Sequence, residues 1–218
     1  MGKDQTTKTW KELVGFIQDI DSRSGGSPNP QTYKVLANQA LMIISELTDI
    51  GMTSWTNASG GGLTLSGNSF LIPATCLSPI SVEWDGVPLE RMEIIEMGLE
   101  LAENWRTMTG PTPCAFAVEH PYIVLDLAPT GVTTGKLTMR GKGMLPEFSD
   151  DIADTNPLSL IPARWQLAPA YYVLSMLPAD PTKAPDIARK QEYTAIWSTE
   201  LKQMVVSLRR RTYERFEY

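Results

Sequence analysis

The chain is poor in the residues that reactive chemistry uses most. Among 218 residues there is one histidine, His120, and there are two cysteines, Cys76 and Cys114. His120 stands between two β-like segments and is followed by Pro121, a turn position rather than a catalytic one. The two cysteines have no histidine near them, so they do not read as a zinc site. One disulfide is open to them, but two buried thiols in a reducing compartment is the reading preferred. There is no Gly-x-Ser-x-Gly, no phosphate loop and no dinucleotide fingerprint. Carboxylates are plentiful but isolated. No catalytic residue, no cofactor-binding residue and no metal ligand is therefore expected, and the chain is read as not an enzyme.

Other absences narrow the class further. No run of 18 apolar residues exists, so no transmembrane helix and no membrane partner are expected. MGKDQTTKTW has no hydrophobic segment after its lysine and does not read as a secretory signal. Gly2 and Thr6 fit a myristoylation pattern only loosely, and that reading is set aside. There is no general basic footprint, since the formal charge is -6, which argues against a nucleic-acid coat. What is present is an ordinary globular composition, 42% apolar and 20% charged, long enough for one large or two small domains. The charge is uneven. Residues 183–218 hold eight Lys/Arg and five Asp/Glu, or +3, so residues 1–182 carry -9. A negatively charged partner would meet the C-terminal end.

Two helices open the chain. Thr9 caps the first, with Glu12 completing a capping box, and Trp10, Leu13, Val14, Ile17 and Ile20 fall on one face. SRSGGSPNP ends it. Asn29 and Pro30 start the second, whose stripe is Tyr33, Leu36, Ala40, Ile43, Ile44 and Leu47, with Gly51 as its stop. The two read as an antiparallel pair. Residues 56–69, TNASGGGLTLSGNS, read as a mobile loop. Gly60-Gly61-Gly62 is followed by Leu63-Thr64-Leu65 with no lysine, so a nucleotide site is discounted.

From Phe70 the pattern turns to β. Ile80, Val82 and Trp84 alternate with polar residues, then Asp85-Gly86 and Val87-Pro88-Leu89 follow, a strong hairpin signal with Pro88 on an edge strand. Leu89 to Trp105 reads as helical, with Met92, Ile95, Leu99 and Ala102 on one side and Gly98 a candidate break. Strands are expected at 114–118, 122–127 and 136–140, giving four or five antiparallel strands in a small sheet or sandwich. Leu145 to Asn156 reads as an acidic connector. Ser149, Asp150, Asp151 and Asp154 lack the glycine and terminal glutamate of a calcium loop.

Two helices close the chain. Ile161-Pro162 opens one that runs to about Met176, with Trp165, Ala168, Tyr172 and Leu174 or Ser175 inward and Pro169 a candidate kink. The other runs from Ala184 to about Arg211, with Ile187, Ile196 or Trp197, Leu201, Met204, Val205 and Leu208 on one face, a rod of about 40 Å. Arg209-Arg210-Arg211 has three readings. It suits a helix C-terminus by the macrodipole. It could touch nucleic-acid phosphate. It could dock on an acidic protein surface with Tyr213, Phe216 and Tyr218 as anchors, and docking is the reading preferred.

The expected fold is α+β: a helical bundle of two N-terminal and two C-terminal helices (1–55 and 157–208) with a β-rich antiparallel insertion (70–143) and a C-terminal docking tail (209–218). This order of parts resembles the head-to-tail adaptor (connector) proteins of tailed bacteriophages, of the short-tailed type. The residues that carry the resemblance are Trp10-x-x-Leu-Val with Ile17, the helix after Asn29-Pro30, Leu71-Ile72-Pro73, and Val82-Glu-Trp-Asp-Gly-Val-Pro-Leu-Glu-Arg91. They continue with Trp105-x-x-x-x-Gly-Pro and the Phe116 strand, Ile123 to Pro129, Leu137-x-Met-Arg, and the Arg-rich end of the last helix. The resemblance implies a structural virion protein of the neck, assembled in the host bacterial cytoplasm. Such proteins form a homo-oligomeric ring, usually of twelve copies, between the portal protein and the tail or nozzle proteins, and packaged DNA passes through it. It also implies portal binding by Arg209, Arg210, Arg211, Tyr213, Phe216 and Tyr218. Net negative charge suits a conduit along which DNA slides. The alternatives are another neck protein, a tail terminator or head-completion stopper, or a nucleic-acid-binding module using the arginines.

Overall fold

A computed structural model of the chain describes residues 7–23, 29–101, 104–151, 153–178 and 184–213; for 22, 23, 184, 185 and 209–213 it describes the backbone alone. The fold is α+β. The chain divides into two compact units, Met1–Gly51 with Met144–Tyr218, and Met52–Gly143. The first is helical and the second is built mainly of strands.

The N-terminal helices begin where their capping residues place them. At α1 (Trp10–Arg23), the Thr9 amide donates to Glu12 Oε2 at 2.7 Å and the Glu12 amide donates to Thr9 Oγ1 at 3.2 Å. The box fixes the phase that buries Trp10, Leu13 and Ile17. At α2 (Pro30–Leu47), Asn29 Oδ1 accepts from the amides of Gln31 and Thr32, and Pro30 supplies a first position that needs no N–H. Tyr33, Ala37, Ala40, Leu41 and Ile44 are its buried face. Leu47, expected inward, is exposed.

The β unit starts earlier than Phe70. Strand β1 (Met52–Thr56) lies in the stretch expected to belong to the helical domain. The expected mobile loop at 56–69 instead holds β2 (Leu65–Ser66), the start of β3 (Ser69–Leu71) and a tight turn. The turn is closed by backbone bonds, Thr56 N–H to Gly61 O at 2.8 Å and Leu63 N–H to Thr56 O at 3.0 Å. The glycines therefore serve close packing rather than looseness. A Cβ at Gly61 would collide with the Thr56 carbonyl oxygen. Next come β4 (Cys76–Trp84), β5 (Val87–Pro88) and β6 (Glu90–Arg91).

The helix expected over Leu89–Trp105 shrinks to α3 (Ile94–Glu100), preceded by β6 and followed by a 3-10 turn at Trp105–Thr107. The remaining strands are β7 (Thr109–Gly110), β8 (Ala115–Glu119), β9 (Tyr122–Leu125), β10 (Ala128–Pro129) and β11 (Leu137–Gly143).

These strands make a four-stranded sheet in the order β1-β11-β4-β5, a five-stranded sheet β2-β3-β9-β8-β6, and the pair β10-β7. Most pairings are antiparallel, but β6–β8 and β10–β7 are parallel, so the insertion is mixed. The Asp85-Gly86 hairpin forms as the sequence implies. Both residues have positive φ, 52° and 79°, as a type I′ turn requires. Pro88 lies in β5, at the sheet edge.

Val82, Trp84, Leu137 and Met139 of one sheet meet Phe70, Phe116, Ile123 and Leu125 of the other in a single core. The five-stranded sheet has a second buried face, where Ala115, Ala117 and Val124 meet Met97 of α3 and Trp105. Burial on both sides explains the unbroken apolar runs of β8 and β9, while β11 alternates. At Gly141, β11 passes over a bulge so tightly that a Cβ would lie 2.6 Å from Ser78 O.

The helical unit resumes at Met144, well before 157. The expected acidic connector carries core residues. Leu145 and Phe148 are buried, and Phe148 stacks on Trp10 with ring centroids 4.5 Å apart. The third helix is three pieces: α4 (Asn156–Ser159), a 3-10 turn at Ala163–Trp165, and α5 (Ala168–Met176). Pro162 and Pro169 supply no N–H, so each stands at a helix start instead of inside one continuous helix. α5 packs against α1, α2 and α6 (Ala184–Tyr213), which accounts for its apolar residues on all sides. Buried Gln166 ties the unit together. It accepts from the Lys8 amide and donates to the carbonyls of Leu158 and Ile161.

Candidate functional site

The segment expected to dock grows out of α6. That helix has 30 residues, a rod of about 45 Å at ~1.5 Å per residue. Its inward face is set by Trp197, Leu201, Met204 and Leu208, spaced four, three and four apart. Trp197 meets Tyr172 edge-on at 5.2 Å, and Tyr193 stacks with Tyr171, which meets Phe16 edge-on. Val205 is only half-buried, and Ile187, expected inward, is exposed.

The helix does not stop at Arg211. Its backbone continues through Tyr213, so the docking segment expected at 209–218 starts on helical positions, Arg209, Arg210, Arg211 and Tyr213. Three cations in the last turns are favoured by the helix macrodipole. Phe216 and Tyr218 lie outside the described residues, as do the side chains of 209–213. From Leu201 to Tyr213 the sequence holds Lys202 and the three arginines and no carboxylate. The positive charge is thus concentrated on the final third of one helix.

Other residues singled out by the sequence have local, structural partners. Asp154 accepts from the Ser149 amide at 2.9 Å, the Ser149 hydroxyl at 2.8 Å and the Asn156 amide at 2.9 Å. These bonds, the Ser149 amide first, hold its carboxyl below the usual range. Asp151 accepts from the Ala153 amide. Asp151 and Asp154 therefore cap their own turn, while Asp150 pairs with Lys34 of α2 at 2.7 Å. Cys76 and Cys114 are both unpaired thiols. Burial pushes the Cys76 thiol up, whereas Cys114 is exposed and its amide donates to the Asp126 carboxylate. His120 occupies the β8–β9 turn.

Two surface depressions stand out among the described residues. A cleft of about 280 Å³ runs along α2 between Val35, Asn38, Met42 and Glu147. A smaller one, about 160 Å³, holds Asn68, Arg106, Glu119 and Tyr122, with Arg106 and Glu119 paired at 3.0 Å. Neither brings a nucleophile and a base together.

One surface departs from the sequence pattern. Ile95 and Leu99 read as an inward stripe, yet they are 72% and 79% exposed. α3 turns Met97 inward instead, with Ile94 and Leu101 beside it. Packing decides the inward face: Met97 lies against Ala115, Ala117, Val124 and Trp105, while the Glu93 amide donates to Glu96 at the helix start.

No protein-family model matches the chain, and no curated protein matches it in sequence.

Proposed function

We propose that this chain is a structural virion protein, a head-to-tail adaptor that forms a ring under the portal of a tailed bacteriophage, joins capsid to tail and lets DNA pass. Three features support the reading. The β unit is inserted between the two halves of a helical unit, the order of parts on which the resemblance rests. The Asp151 and Asp154 carboxylates are engaged in local structure, and the two cysteines stand apart as free thiols. The longest helix ends in a purely cationic segment.

The observation that carries the proposal is the last. α6 is anchored through Leu208 in the helical core, and its helix runs on through Arg209–Tyr213. Such an element can present arginines and aromatics to an acidic protein surface with little ordering cost. Phe216 and Tyr218 would complete the contact.

The experiment is a pull-down of the portal protein encoded with this chain, using full-length protein and a variant truncated after Leu208. Capture by the full chain and loss on truncation support the reading. Undiminished capture by the truncated chain removes the anchor. A salt-sensitive DNA affinity, lost when the three arginines are replaced, would instead favour a nucleic-acid-binding module.

A further inference from the structure

We infer that the exposed face of α3, centred on Ile95 and Leu99, is the seat for the cationic stretch of α6 from a second copy of this chain. This rests on the ring part of the reading above and not on portal binding. The α3 face has two aliphatic side chains one helical turn apart, each more than two-thirds exposed. Adjacent on one face, they offer the kind of aliphatic anchor that helix contacts use. The sequence around them is acidic. Residues 90–101 contain Glu90, Glu93, Glu96 and Glu100 against the single cation Arg91, a net of -3.

α6 supplies the complement. Residues 201–213 carry Lys202, Arg209, Arg210 and Arg211 and no acid, a net of +4. Lys202, Val206, Arg209 and Arg210 recur at spacings of four, three and one, which puts these positions on one helical face. That face is opposite to the Trp197–Leu201–Met204–Leu208 stripe packed into the chain's own core. Val206 is 56% exposed at its centre. An aliphatic centre flanked by cations thus faces an aliphatic pair flanked by carboxylates. The two patches consist of different residues, so a contact between copies is head-to-tail and propagates into a ring or a chain of copies. Arg209 and Arg210 would then stand at the junction of this contact and the portal contact, with Arg211, Tyr213 and the residues after them left to the portal.

Sedimentation velocity on the full chain tests this at about 100 µM, where contacts of ~10 µM Kd are well populated. Wild type is expected to form species larger than dimers and to shed them as salt is raised. Two full-length variants, I95D/L99D and K202E/V206D, are each expected to be monomeric. Mixed in equal amounts they are expected to form a dimer and stop, because each retains the half-site the other lost. That complementation also guards against misfolding, since a misfolded variant could not restore a dimer. Wild type that stays monomeric, variants that assemble as wild type does, or a mixture that does not dimerise would each overturn the contact. Assembly that survives both double substitutions overturns it too and leaves the ring standing on other surfaces. Portal capture is read on K202E/V206D, which keeps residues 209–218, so lost self-assembly with capture intact separates this contact from portal docking.

Discussion

Tyr33 of α2 donates its phenolic proton to Asp21 of α1, Oη to Oδ2 at 2.5 Å, with both residues buried. The bond joins the N-terminal helix pair at a point where neither group reaches water freely. Burial first, then the Asp21 carboxylate, pushes the Tyr33 hydroxyl up to about 12 from 10.0. A raised folded-state value means the stabilisation is complete below pH 10 and is lost as pH climbs toward 12. Tyr33→Phe should leave a buried carboxylate short of a donor and cost about 1–3 kcal/mol in urea unfolding at neutral pH. The variant should also lose the alkaline part of the stability profile between those two pH values.

The Gly61 turn gives a second expectation. A methyl there would collide with Thr56 Oγ1 and the Thr56 carbonyl oxygen and stand 2.9 Å from the carbonyl carbon, so backbone has to move. Gly61→Ala should destabilise the β unit by about 1–3 kcal/mol in thermal or urea unfolding. Gly15 is the contrasting case. It lies exposed inside α1 with nothing within 4 Å of an added methyl, and Gly15→Ala should stabilise by about 0.5–1 kcal/mol.

At the start of α1, the Thr9 amide and then the Thr9 hydroxyl hold the Glu12 carboxyl below its usual value. A depressed value means the contribution is present above the unfolded-state titration and disappears as pH falls through the folded-state one. Glu12→Gln should therefore be less stable than wild type at neutral pH. The gap should close in acid below about pH 4, as read by circular dichroism melts.

The Trp10–Phe148 stack ties the first helix to the segment that reads from sequence as a connector. Phe148→Ala should cost about 3–5 kcal/mol, the range for deleting a buried aromatic ring. A surface connector would give a change within about 0.5 kcal/mol, so equilibrium unfolding distinguishes the two roles.

Local signals are legible in the sequence where one or two residues dictate the backbone. Asn29-Pro30, the Thr9–Glu12 box, Asp85-Gly86 and the edge position of Pro88 each depend on a conformational preference that needs no tertiary partner. Phase and extent are poorly legible where tertiary contacts decide. Ile95 and Leu99 match a helical stripe together with Met92, but Ala115, Ala117 and Val124 pack against Met97 and turn that face inward. β1 escapes notice because Met52–Thr56 has no alternation of its own and is defined by pairing with β11. Residues 145–156 look solvated because their carboxylates outnumber Leu145 and Phe148, yet those two residues carry the packing. The last helix is legible to within two residues, from Ala184 to about Arg211 against Ala184–Tyr213, because its apolar stripe runs unbroken to Leu208.

The central proposal is portal docking through the end of α6, and one measurement tests it most directly. Binding of the portal ring to immobilised full-length chain and to the chain truncated after Leu208 should be compared by surface plasmon resonance. The proposal predicts saturable binding by the full chain and at least a ~100-fold loss on truncation, about 2.7 kcal/mol. Equal affinity for the two would contradict it.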